Sequence, residues 1–419
     1  MDLADIVILH YSSAPVVGGV ESVMRTQAGL FLEAGCRVSV VAGNGEKDAL
    51  PGGAEFIRMP ELNSQHPRVA RISRELEQGR VPADFDHLAA ELEGTLRPIL
   101  SAGDLLIVHN IFTKHFNLPL TAALSRLLDQ NQIRRCVAWC HDFTWTSPHS
   151  RAKVHPGYPW DLLRTFRPDV TYVTVSQARQ NELAGLFGCR PEQIRVIYNG
   201  VDPQQLLGIS AAGMDLIDRL GLWDSDLNLL MPVRVTQAKN IELAIGTAAV
   251  LIEKGIRPKM VITGPPDPHD EQSTAYFNSL HAQREKAGVE QEVSFVFELG
   301  RNASQPFLVD MPLVGDLYRV SDALFMPSHR EGFGMPILEA GLAGIPAFSS
   351  DQVPAAKEIG GEDVILFPSE SGPQEVAALI LDWLEHSREQ HLRRRVRQRL
   401  RWKSIFQHEI LKLLEGDPP

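Results

Sequence analysis

The sequence predicts an α/β protein made of two doubly wound domains, each with helices on both faces of a parallel sheet. Short apolar runs rich in β-branched residues alternate with amphipathic segments along nearly the whole chain, as they do in βαβ units. The runs form two sets, and 419 residues are more than a single core usually holds. We therefore expect two Rossmann-like domains that face a central cleft.

Twelve apolar runs are the predicted strands. Turn signals or amphipathic segments separate them, so each run can enter a parallel sheet and leave it through a helix. The first set spans residues 6–10, 37–42, 105–109, 136–140, 170–175 and 194–198, and the second set spans 229–233, 259–263, 293–297, 323–327, 346–348 and 364–367.

Turn-forming residues cluster at 199–210, directly after the last run of the first set. We therefore expect an N-terminal domain at 1–205 and a C-terminal domain at 206–384. The remaining residues, 385–419, predict one long helix that crosses back to the N-terminal domain, because apolar residues recur there mostly at every fourth position. These residues are Leu392, Val396, Leu400, Phe406, Ile410 and Leu414.

The composition excludes several classes of protein. A formal net charge of -11 argues against general nucleic-acid binding, which needs a basic surface. No apolar run reaches the roughly 20 residues of a membrane-spanning helix, and the first strand begins without a secretory leader. Cys136, Cys140 and His141 could form a metal corner, but an apolar strand without a second ligand pair is the better interpretation. We expect a reduced, cytoplasmic protein.

Doubly wound domains bind ligands beyond the carboxyl ends of their strands, and two such ends in the first half carry suggestive residues. Gly18 and Gly19 precede a helical pattern, where glycine permits a ligand to approach the backbone N–H groups, although any tight turn can use glycine. His141 and Asp142 follow the fourth run. His141 is either a ligand contact or a structural histidine capped by Asp142, and its position alone favours neither.

Two strand ends in the second half carry charge or glycine. Arg234 and Lys239 flank the loop after the run at 229–233. Two cations with no carboxylate between them are poorly explained as solvated surface, and they suit a diphosphate. The neighbouring run, at 259–263, ends at Gly264 and two prolines, which predicts a tight turn at the same edge of the sheet.

The stretch HREGFGMPILEAGLAG, residues 329–344, predicts a loop followed by a short helix. Pro336 suits the first helical turn, and Gly344 ends the helix. Because helical side chains lean toward the N-terminus, Glu339 can reach the start of the helix, where Glu331 also lies. The two carboxylates are therefore spaced to flank one ligand at that helix start.

A helix start attracts anions through its free N–H groups and its dipole, and the loop glycines keep this one open. A ligand flanked by Glu331 and Glu339 would have an anionic middle and hydroxyl-rich ends, as a nucleotide-diphosphate sugar has. In the simpler alternative, one carboxylate favours the helix dipole and the other forms a surface salt bridge. That alternative explains each residue singly, but not the pair together with Arg234 and Lys239.

Seven motifs in fixed order carry a family resemblance. They are GGVE (18–21), HD (141–142), VSQARQNEL (175–183), IRVIYNGVD (194–202), RVTQAKN (234–240), ITG (262–264) and EGFGMPILEAGLAGIP (331–346). Through them the sequence resembles the retaining glycosyltransferases of family 4 over nearly its whole length, and the last motif, E-x7-E, is the most specific. The resemblance implies the GT-B fold, with an N-terminal acceptor-binding domain and a C-terminal nucleotide-sugar-binding domain.

The resemblance also implies roles for single residues. Arg234 and Lys239 would neutralise the donor diphosphate. Glu331 would contact the donor sugar and Glu339 the ribose, while His141 would bond the sugar near its reacting carbon. The implied catalytic set is His141, Arg234, Lys239 and Glu331, and the implied donor-binding set is Gly18, Gly19, Gly264, Phe333, Gly334, Met335 and Glu339.

The acceptor is expected on the N-terminal domain, along residues 17–20, 109–114 and 143–160. Aromatic residues in the last segment could stack on sugar rings or could pack in the core, and we favour stacking. These aromatic residues are Phe143, Trp145, Tyr158 and Trp160. The candidate acceptor contacts are His109, Asn110, Lys114 and Trp145.

Together these features predict transfer of a hexose from a nucleotide-diphosphate sugar, of the GDP-mannose or UDP-glucose type, to a hydroxyl of a sugar-like acceptor. A front-face route, in which the departing phosphate takes the acceptor proton, needs no protein nucleophile. The alternatives are a glycoside phosphorylase or a nucleotide-sugar epimerase on the same fold, and a non-catalytic nucleotide-sugar-binding protein. A phosphorylase would need an added phosphate or pyridoxal phosphate site, and a binding protein would not need the full charge set.

Two further features are interpreted as surface. The D-x-D pairs Asp84/Asp86 and Asp224/Asp226 lie in polar connecting segments, so we expect them to be solvated and expect no metal cofactor. The basic segment 393–403 could lie on an anionic membrane, but its apolar side lacks the bulky aromatic residues of an anchor. We expect that side to pack on the protein, the arginines to be solvated and the acceptor to be soluble, with membrane association as the alternative.

Overall fold

A computed structural model describes residues 4–266, 271–300, 305 and 307–415. The chain forms two compact units. The N-terminal domain comprises Met1–Gly200 together with Trp402–Pro419, and the C-terminal domain comprises Val201–Arg401. The boundary between the domains therefore lies five residues before the expected position, and the segment expected at 385–419 is shared between both domains, with 416–419 outside the described residues.

The N-terminal domain contains a seven-stranded sheet in the order β3-β2-β1-β4-β5-β6-β7, in which every pair is parallel. All six strands expected here are confirmed, with ends that differ by at most two residues. The strands are β1 Asp5–His10, β2 Arg37–Ala42, β3 Glu55–Arg58, β4 Leu105–His109, β5 Cys136–Cys140, β6 Val170–Thr174 and β7 Ile194–Val196. The helices between them are α1 Gly19–Glu33, α2 Pro67–Glu77, α3 Asp84–Ala102, α4 Leu118–Asp129 and α5 Gln177–Phe187.

The C-terminal domain contains a six-stranded parallel sheet in the order β10-β9-β8-β11-β12-β13, and all six expected strands are confirmed. The strands are β8 Leu227–Met231, β9 Pro258–Ile262, β10 Val293–Phe295, β11 Ala323–Met326, β12 Ala347–Ser350 and β13 Ile365–Phe367. The helices are α6 Pro203–Leu207, α7 Ala211–Leu220, α8 Ile241–Glu253, α9 Glu271–Ala287, α10 Met311–Val320, α11 Met335–Ala343, α12 Pro373–His386 and α13 Arg388–Arg399.

The strands are apolar because both sheets are covered on both faces. Every residue of β4, β5, β8 and β11 is buried, as a parallel sheet between two helical layers requires. The strand that sequence reasoning missed, β3, lies at the edge of its sheet and has no fully buried residue. Its four residues, Glu55 to Arg58, lack the continuous apolar run that marks the other strands.

The order of strands reverses once in each sheet. In the N-terminal domain the reversal lies between β1 and β4, and in the C-terminal domain it lies between β8 and β11. At such a point the connections from the two neighbouring strands leave toward opposite faces of the sheet, which opens a crevice beyond their carboxyl ends. The loops that follow these four strands are therefore the first place to look for a ligand site.

The single helix expected from about residue 385 is broken in the structure. It stops at His386, and Ser387 starts a new helix by accepting a hydrogen bond from the Gln390 N–H at 3.3 Å. The new helix, α13, ends before Leu400, and short helical turns continue over Trp402–Ile405, Phe406–Ile410 and Lys412–Glu415. The helical conformation that the apolar spacing predicts is confirmed, but the capping Ser387 interrupts the helix.

The arginines of α13 are not all solvated, contrary to expectation. Arg397 is buried, and its Nη1 lies 2.7 Å from both carboxylate oxygens of Asp322, which is fully buried at the start of β11. Arg397 Nη2 also donates to the Ser225 carbonyl oxygen at 3.1 Å. The neighbouring Arg401 is buried as well and pairs with Asp224 at 3.2 Å. These arginines fasten the basic segment to its own domain.

Replacing Arg397 with alanine is expected to lower the free energy of unfolding by about 3–5 kcal/mol, because it leaves the buried carboxylate of Asp322 without its partner. Urea denaturation measures the loss. The matched control is Arg395→Ala on the exposed side of the same helix, which should change stability by less than about 0.5 kcal/mol. Adding Asp322→Asn to Arg397→Leu should recover part of the stability, and equal effects of Arg397→Ala and Arg395→Ala would contradict a structural ion pair.

Candidate active site

An ion pair joins the loops that follow β8 and β11. Lys239 Nζ lies 2.5 Å from Glu331 Oε1, and Ser328 Oγ donates to the same carboxylate oxygen at 3.0 Å. A backbone hydrogen bond of 3.3 Å from Arg330 to Ala238 ties the same two loops. Both charged side chains are mostly buried, with 19% and 13% of their area exposed. The sequence predicted each as a ligand contact, but not that they pair with each other.

Arg234 contrasts with its neighbour Lys239. Its side chain is exposed, and it has no ion pair or hydrogen bond with any residue that the structure describes. Gly264, after β9, packs against the backbone here, since a Cβ at this position would lie 2.6 Å from the Val233 carbonyl oxygen and 2.8 Å from Arg234 Cα. Glycine at 264 therefore has a packing role, and its contact with a donor stays a prediction.

The start of α11 is shaped by Gly334. This residue has φ +104, and a Cβ on it would lie 2.4 Å from Val353 Cγ1, so a side chain here is excluded twice. Phe333 and Met335, on either side of it, are exposed. Because the first N–H groups of a helix have no partner within the helix, this start offers hydrogen-bond donors to an anion. As predicted, the helix ends at Gly344, which has φ +72.

Glu339 is held by a tyrosine that sequence reasoning missed. Tyr318 Oη, from α10, donates to Glu339 Oε2 at 2.8 Å. Burial, together with the adjacent Glu339 carboxylate, raises the pKa of the Tyr318 phenol well above its usual value, so the phenol stays a donor. Only Oε2 of the carboxylate is engaged in this bond. No motif marks Tyr318, because it lies on a different helix from the carboxylate that it orients.

In the N-terminal domain, polar side chains converge beyond β4 and β5. His141 Nε2 lies 3.2 Å from His109 Nδ1, and the two rings stack with centroids 5.5 Å apart. Asn110 has φ +60, and its Oδ1 accepts the N–H groups of His141 at 2.8 Å and Asp142 at 3.2 Å. Asp142 makes no side-chain bond to His141 here, so the capping interpretation of this pair is wrong, and Asn110 fixes the backbone instead.

The buried histidines of this region are neutral. Burial, together with the nearby His10, lowers the pKa of His141 to about 4. Burial also holds the pKa of His109 well below its ordinary value and lowers that of His10. His10, at the end of β1, donates from Nδ1 to the His109 carbonyl oxygen at 2.8 Å. At neutral pH these rings act as hydrogen-bonding groups without charge.

The start of α1 already holds a carboxylate. Ser12 Oγ donates to Glu21 Oε1 at 2.6 Å, and a Cβ on Gly18 would lie 2.1 Å from Glu21 Oε2. Gly18 is therefore needed for this side chain to fold back onto the helix start. Gly19, in contrast, faces open space: among the described residues, its chain neighbours and its own helix backbone aside, no heavy atom lies within 4 Å of where a Cβ would lie. Of the two predicted donor contacts, Gly19 is the one with room for a ligand.

The predicted stacking surface for the acceptor is mostly core. Trp145 is buried, its Nε1 donates to the Trp160 carbonyl oxygen at 3.1 Å, and the guanidinium groups of Arg151 and Arg164 lie 4.5 and 4.1 Å from its ring. Trp160 and Phe143 are also buried, and Tyr158 alone among the four aromatic residues is exposed. Packing, the alternative interpretation, therefore describes three of these four residues.

Two other predicted acceptor contacts are also structural. His109 is fully buried, and Asn110 is buried with its side chain engaged by the backbone of the next loop. Lys114 is partly exposed, with Nζ 4.9 Å from the Phe116 ring. Burial lowers the pKa of Lys114, partly offset by the nearby charge of Asp142. Lys114 is thus the candidate in this set that can reach a ligand.

The D-x-D carboxylates pair with arginines, and Asp86 and Asp224 are solvated as expected, with 64% and 80% of their side-chain area exposed. Asp84 accepts from Arg68 at 2.7 Å, and its hydrogen bond with Arg68 lowers the pKa of the carboxyl to about 2. Asp86 pairs with Arg126 at 2.5 Å. Asp224 and Asp226 pair with Arg401 and Arg257. In the described ranges no three His, Cys, Asp or Glu side chains are grouped so that they could hold a metal ion.

Two family models match the chain, one for each domain. Glycosyltransferase Family 4 matches residues 17–205, and Glycosyl transferases group 1 matches residues 217–401. The first match starts next to Gly18, and the second contains both carboxylates of the E-x7-E motif. The two together cover nearly the whole chain.

Curated relatives are similar over part of their length. Mannosylglucosylglycerate synthase of Petrotoga mobilis is 26% identical over 275 residues, which are 61% of each protein. An uncharacterised glycosyltransferase of Methanocaldococcus jannaschii is 30% identical over 181 residues, 42% of this chain and 41% of the relative. Mannosylfructose-phosphate synthase of Agrobacterium fabrum is 24% identical over 55% of this chain and 49% of its own. The chain thus spans about three-fifths or less of the length of these relatives.

Solved structures with similar chains include sucrose-phosphate synthase of Thermosynechococcus elongatus, at 16% identity over 99% of this chain and 100% of that chain, with a TM-score of 0.39. Another is HepE of Anabaena in complex with UDP, at 21% identity, the same coverage and a TM-score of 0.35. Because each of the two doubly wound domains matches its own glycosyltransferase model, and the two matches together cover nearly the whole chain, the chain belongs to the family 4 glycosyltransferases.

Proposed function

We propose that the protein transfers a hexose from a nucleotide-diphosphate sugar, of the GDP-mannose or UDP-glucose type, to a hydroxyl of a sugar-like acceptor with retention of configuration. The observation that carries this proposal is the grouping of Arg234, Lys239, Glu331 and the α11 start at the reversal point of one sheet. Two cations and a helix start suit a diphosphate, and the carboxylates suit hydroxyl groups on either side of it.

The free atoms of the site match the parts of such a donor. Lys239 and Ser328 both bond Glu331 through Oε1, which leaves Oε2 to accept from a sugar hydroxyl. Tyr318 bonds Glu339 through Oε2, which leaves Oε1 for the ribose. An ammonium group has three N–H donors, so Lys239 can keep its carboxylate and still donate to phosphate. Arg234 contributes a guanidinium without a partner in the described chain.

The proposed chemistry is electrostatic. When the bond between the sugar and the diphosphate breaks, negative charge grows on the phosphate and positive charge grows on the ring. Cations that are already in place stabilise the phosphate without having to reorganise. The departing phosphate oxygen then takes the proton of the acceptor hydroxyl. The oxygen of that hydroxyl bonds the sugar on the face from which the diphosphate departs. Glu331 is not the nucleophile in this proposal, since its pairing with Lys239 reduces its reactivity.

The relatives support a small acceptor. Mannosylglucosylglycerate synthase and mannosylfructose-phosphate synthase are named for small glycosylated molecules, and we propose an acceptor of this kind, bound to the N-terminal domain near Lys114. None of the helices in the described part of the chain could span a membrane. The burial of Arg397 and Arg401 in ion pairs also removes two charges that a membrane-binding face would use. We propose a cytoplasmic enzyme with a soluble acceptor.

A panel of nucleotide sugars tests the proposal. A donor that binds the folded protein should raise its melting temperature. That donor should then release its nucleoside diphosphate only when an acceptor sugar is present, whereas an epimerase would convert it alone and a phosphorylase would respond to inorganic phosphate. A thermal shift without turnover on any acceptor of a broad panel would favour the non-catalytic alternative.

Lys239→Ala and Arg234→Ala should each lower kcat by about 100-fold or more, as the loss of one preorganised charge contact does. Lys254→Ala, at the exposed end of α8 in the same domain, is the matched control and should keep normal turnover. Steady-state rates at saturating donor measure the effect. Near-normal rates in both test variants would contradict the proposal that these cations bind the diphosphate.

Gly19→Ala should leave the melting temperature unchanged, because the structure has open space for the methyl group. If the donor approaches the backbone here, the same methyl should lower kcat/KM for the donor about tenfold or more, a barrier difference of about 1.4 kcal/mol. Gly94→Ala, inside α3 and equally unhindered, is the control. Full activity of Gly19→Ala would place the diphosphate elsewhere.

Glu339→Ala should weaken binding of the free nucleoside diphosphate about tenfold or more, because the ribose loses a charged acceptor of hydrogen bonds. Tyr318→Phe should weaken it less, since the carboxylate remains but loses the bond that orients it. Titration calorimetry gives both dissociation constants. Unchanged affinity in Glu339→Ala would show that this carboxylate does not contact the ribose.

A further inference from the structure

A chain of hydrogen bonds runs from the core of the N-terminal domain to His141. Gln27 Oε1, on the buried face of α1, lies 3.1 Å from His109 Nε2, and His109 Nδ1 lies 3.2 Å from His141 Nε2. Gln27 and His109 are both fully buried, whereas His141 is partly exposed. The chain therefore connects an interior amide to a ring that can meet a ligand.

The positions of the protons in this chain follow from Gln27, its first member. An amide oxygen only accepts hydrogen bonds, so His109 must carry its proton on Nε2 to bond Gln27 Oε1. A neutral imidazole has one proton, which leaves a lone pair on His109 Nδ1. His141 must then carry its own proton on Nε2 to complete the second bond. Its other nitrogen, Nδ1, is left with a lone pair, and this nitrogen can accept a hydrogen bond but cannot donate one.

The rings have little freedom to leave this arrangement. His109 lies between two aromatic neighbours, with centroids 6.0 Å from Trp139 and 5.5 Å from His141 and interplanar angles of 26° and 21°. The backbone beneath His141 is fixed by Asn110 Oδ1, which accepts the His141 N–H at 2.8 Å. His10 fixes the backbone of His109 from the other side through a 2.8 Å bond to its carbonyl oxygen.

We propose that Gln27 and His109 are positioning residues that set the tautomer of His141, so that His141 Nδ1 accepts a hydrogen bond from a hydroxyl of the sugar during transfer. The inference rests on the proposed function and on a contact between His141 and the donor sugar, which the family resemblance implies. It adds a specificity rule: a sugar with a hydroxyl at the position facing His141 is accepted, and a sugar with an acceptor-only substituent there is disfavoured.

The orientation of the Gln27 amide decides the direction of the chain. With Oε1 toward His109, the Gln27 Nε2 is buried without a partner among the described residues. If the amide were reversed, every proton in the chain would move to the opposite nitrogen, and His141 Nδ1 would become a donor. Measuring the tautomer of His141 therefore tests the proposal directly.

Nuclear magnetic resonance of the histidine side-chain nitrogens measures this tautomer in the free protein. The protein is labelled with ¹⁵N-histidine at neutral pH, and the signals are assigned with His109→Asn and His141→Asn. We expect His109 and His141 to be neutral and protonated at Nε2. In Gln27→Met, which keeps the length of the side chain and removes both polar atoms, the His141 signals should shift toward a mixture of tautomers. Protonation of His141 at Nδ1 in the unmodified protein would overturn the proposal.

Kinetics separates positioning from a merely structural role. Gln27→Met should lower kcat about tenfold while KM for the donor changes less than about twofold, as the loss of one oriented hydrogen bond in the transition state does. Met24→Leu, on the same buried face of α1, is the control and should keep kcat. If Gln27→Met does not fold, Gln27→Leu and the signals of the unmodified protein still test the chain.

The positioning role of Gln27 and the contact of His141 with the sugar can be contradicted separately. Normal kcat in Gln27→Met together with a large loss in His141→Ala would overturn the positioning role alone. Normal kcat in His141→Ala would overturn both this inference and the proposed contact of His141 with the sugar. A melting temperature of Gln27→Met equal to that of Met24→Leu, combined with the expected loss of kcat, would support the inference.

Discussion

The constraint on which the structure depends is that all strands of a parallel sheet end at the same edge. Hydrogen bonds within the sheet use the N–H and C=O groups of the strands. Groups that bind a ligand are therefore found where the strands end. The polar groups of both domains follow this rule: His109 is the last residue of β4 and His141 directly follows β5, and the loops of Lys239 and Glu331 follow β8 and β11. The loops of Lys239 and Glu331 meet because β8 and β11 are neighbours where the strand order of their sheet reverses, and His109 and His141 meet because β4 and β5 are neighbours.

In the C-terminal domain this geometry brings opposite charges together before any ligand arrives. Lys239 and Glu331 are both mostly buried, and either charge alone would be costly there, so their 2.5 Å pair offsets the loss of hydration. Pairing also fixes the loops relative to each other, because each charge comes from a different strand end. The pair thus preorganises the site: it holds the ammonium in place, and among the described residues it leaves one carboxylate oxygen and Arg234 without a partner.

Sequence patterns were sufficient for every described strand except β3 and for the charged loops, because burial between two helical layers and strand-end geometry act locally. They failed where partners come from distant elements. Trp145 carried an aromatic signal, but only the fold shows that two arginines cover its ring. His109 was correctly seen at a strand end, yet its side chain points into the core. The sequence pattern predicted that Arg397 is exposed, because its partner Asp322 lies 75 positions away and the local pattern does not reveal it. A polar Gln27 on an apolar helix face was a signal that could have been used.

The two domains differ in how they treat charge, and the proposed reaction explains the difference. In the proposed reaction the leaving diphosphate gains negative charge, which the cations and helix N–H groups of the C-terminal domain would stabilise. If His141 contacts the sugar as proposed, an imidazolium at this position would oppose the positive charge that grows on the sugar ring. Burial lowers the pKa of His10, His109 and His141 and so favours their neutral forms, and Gln27 Oε1, next to His109, is a neutral amide oxygen and not a carboxylate. A carboxylate at position 27 would favour the protonated form of His109, so an uncharged residue at the end of the chain keeps the whole relay uncharged.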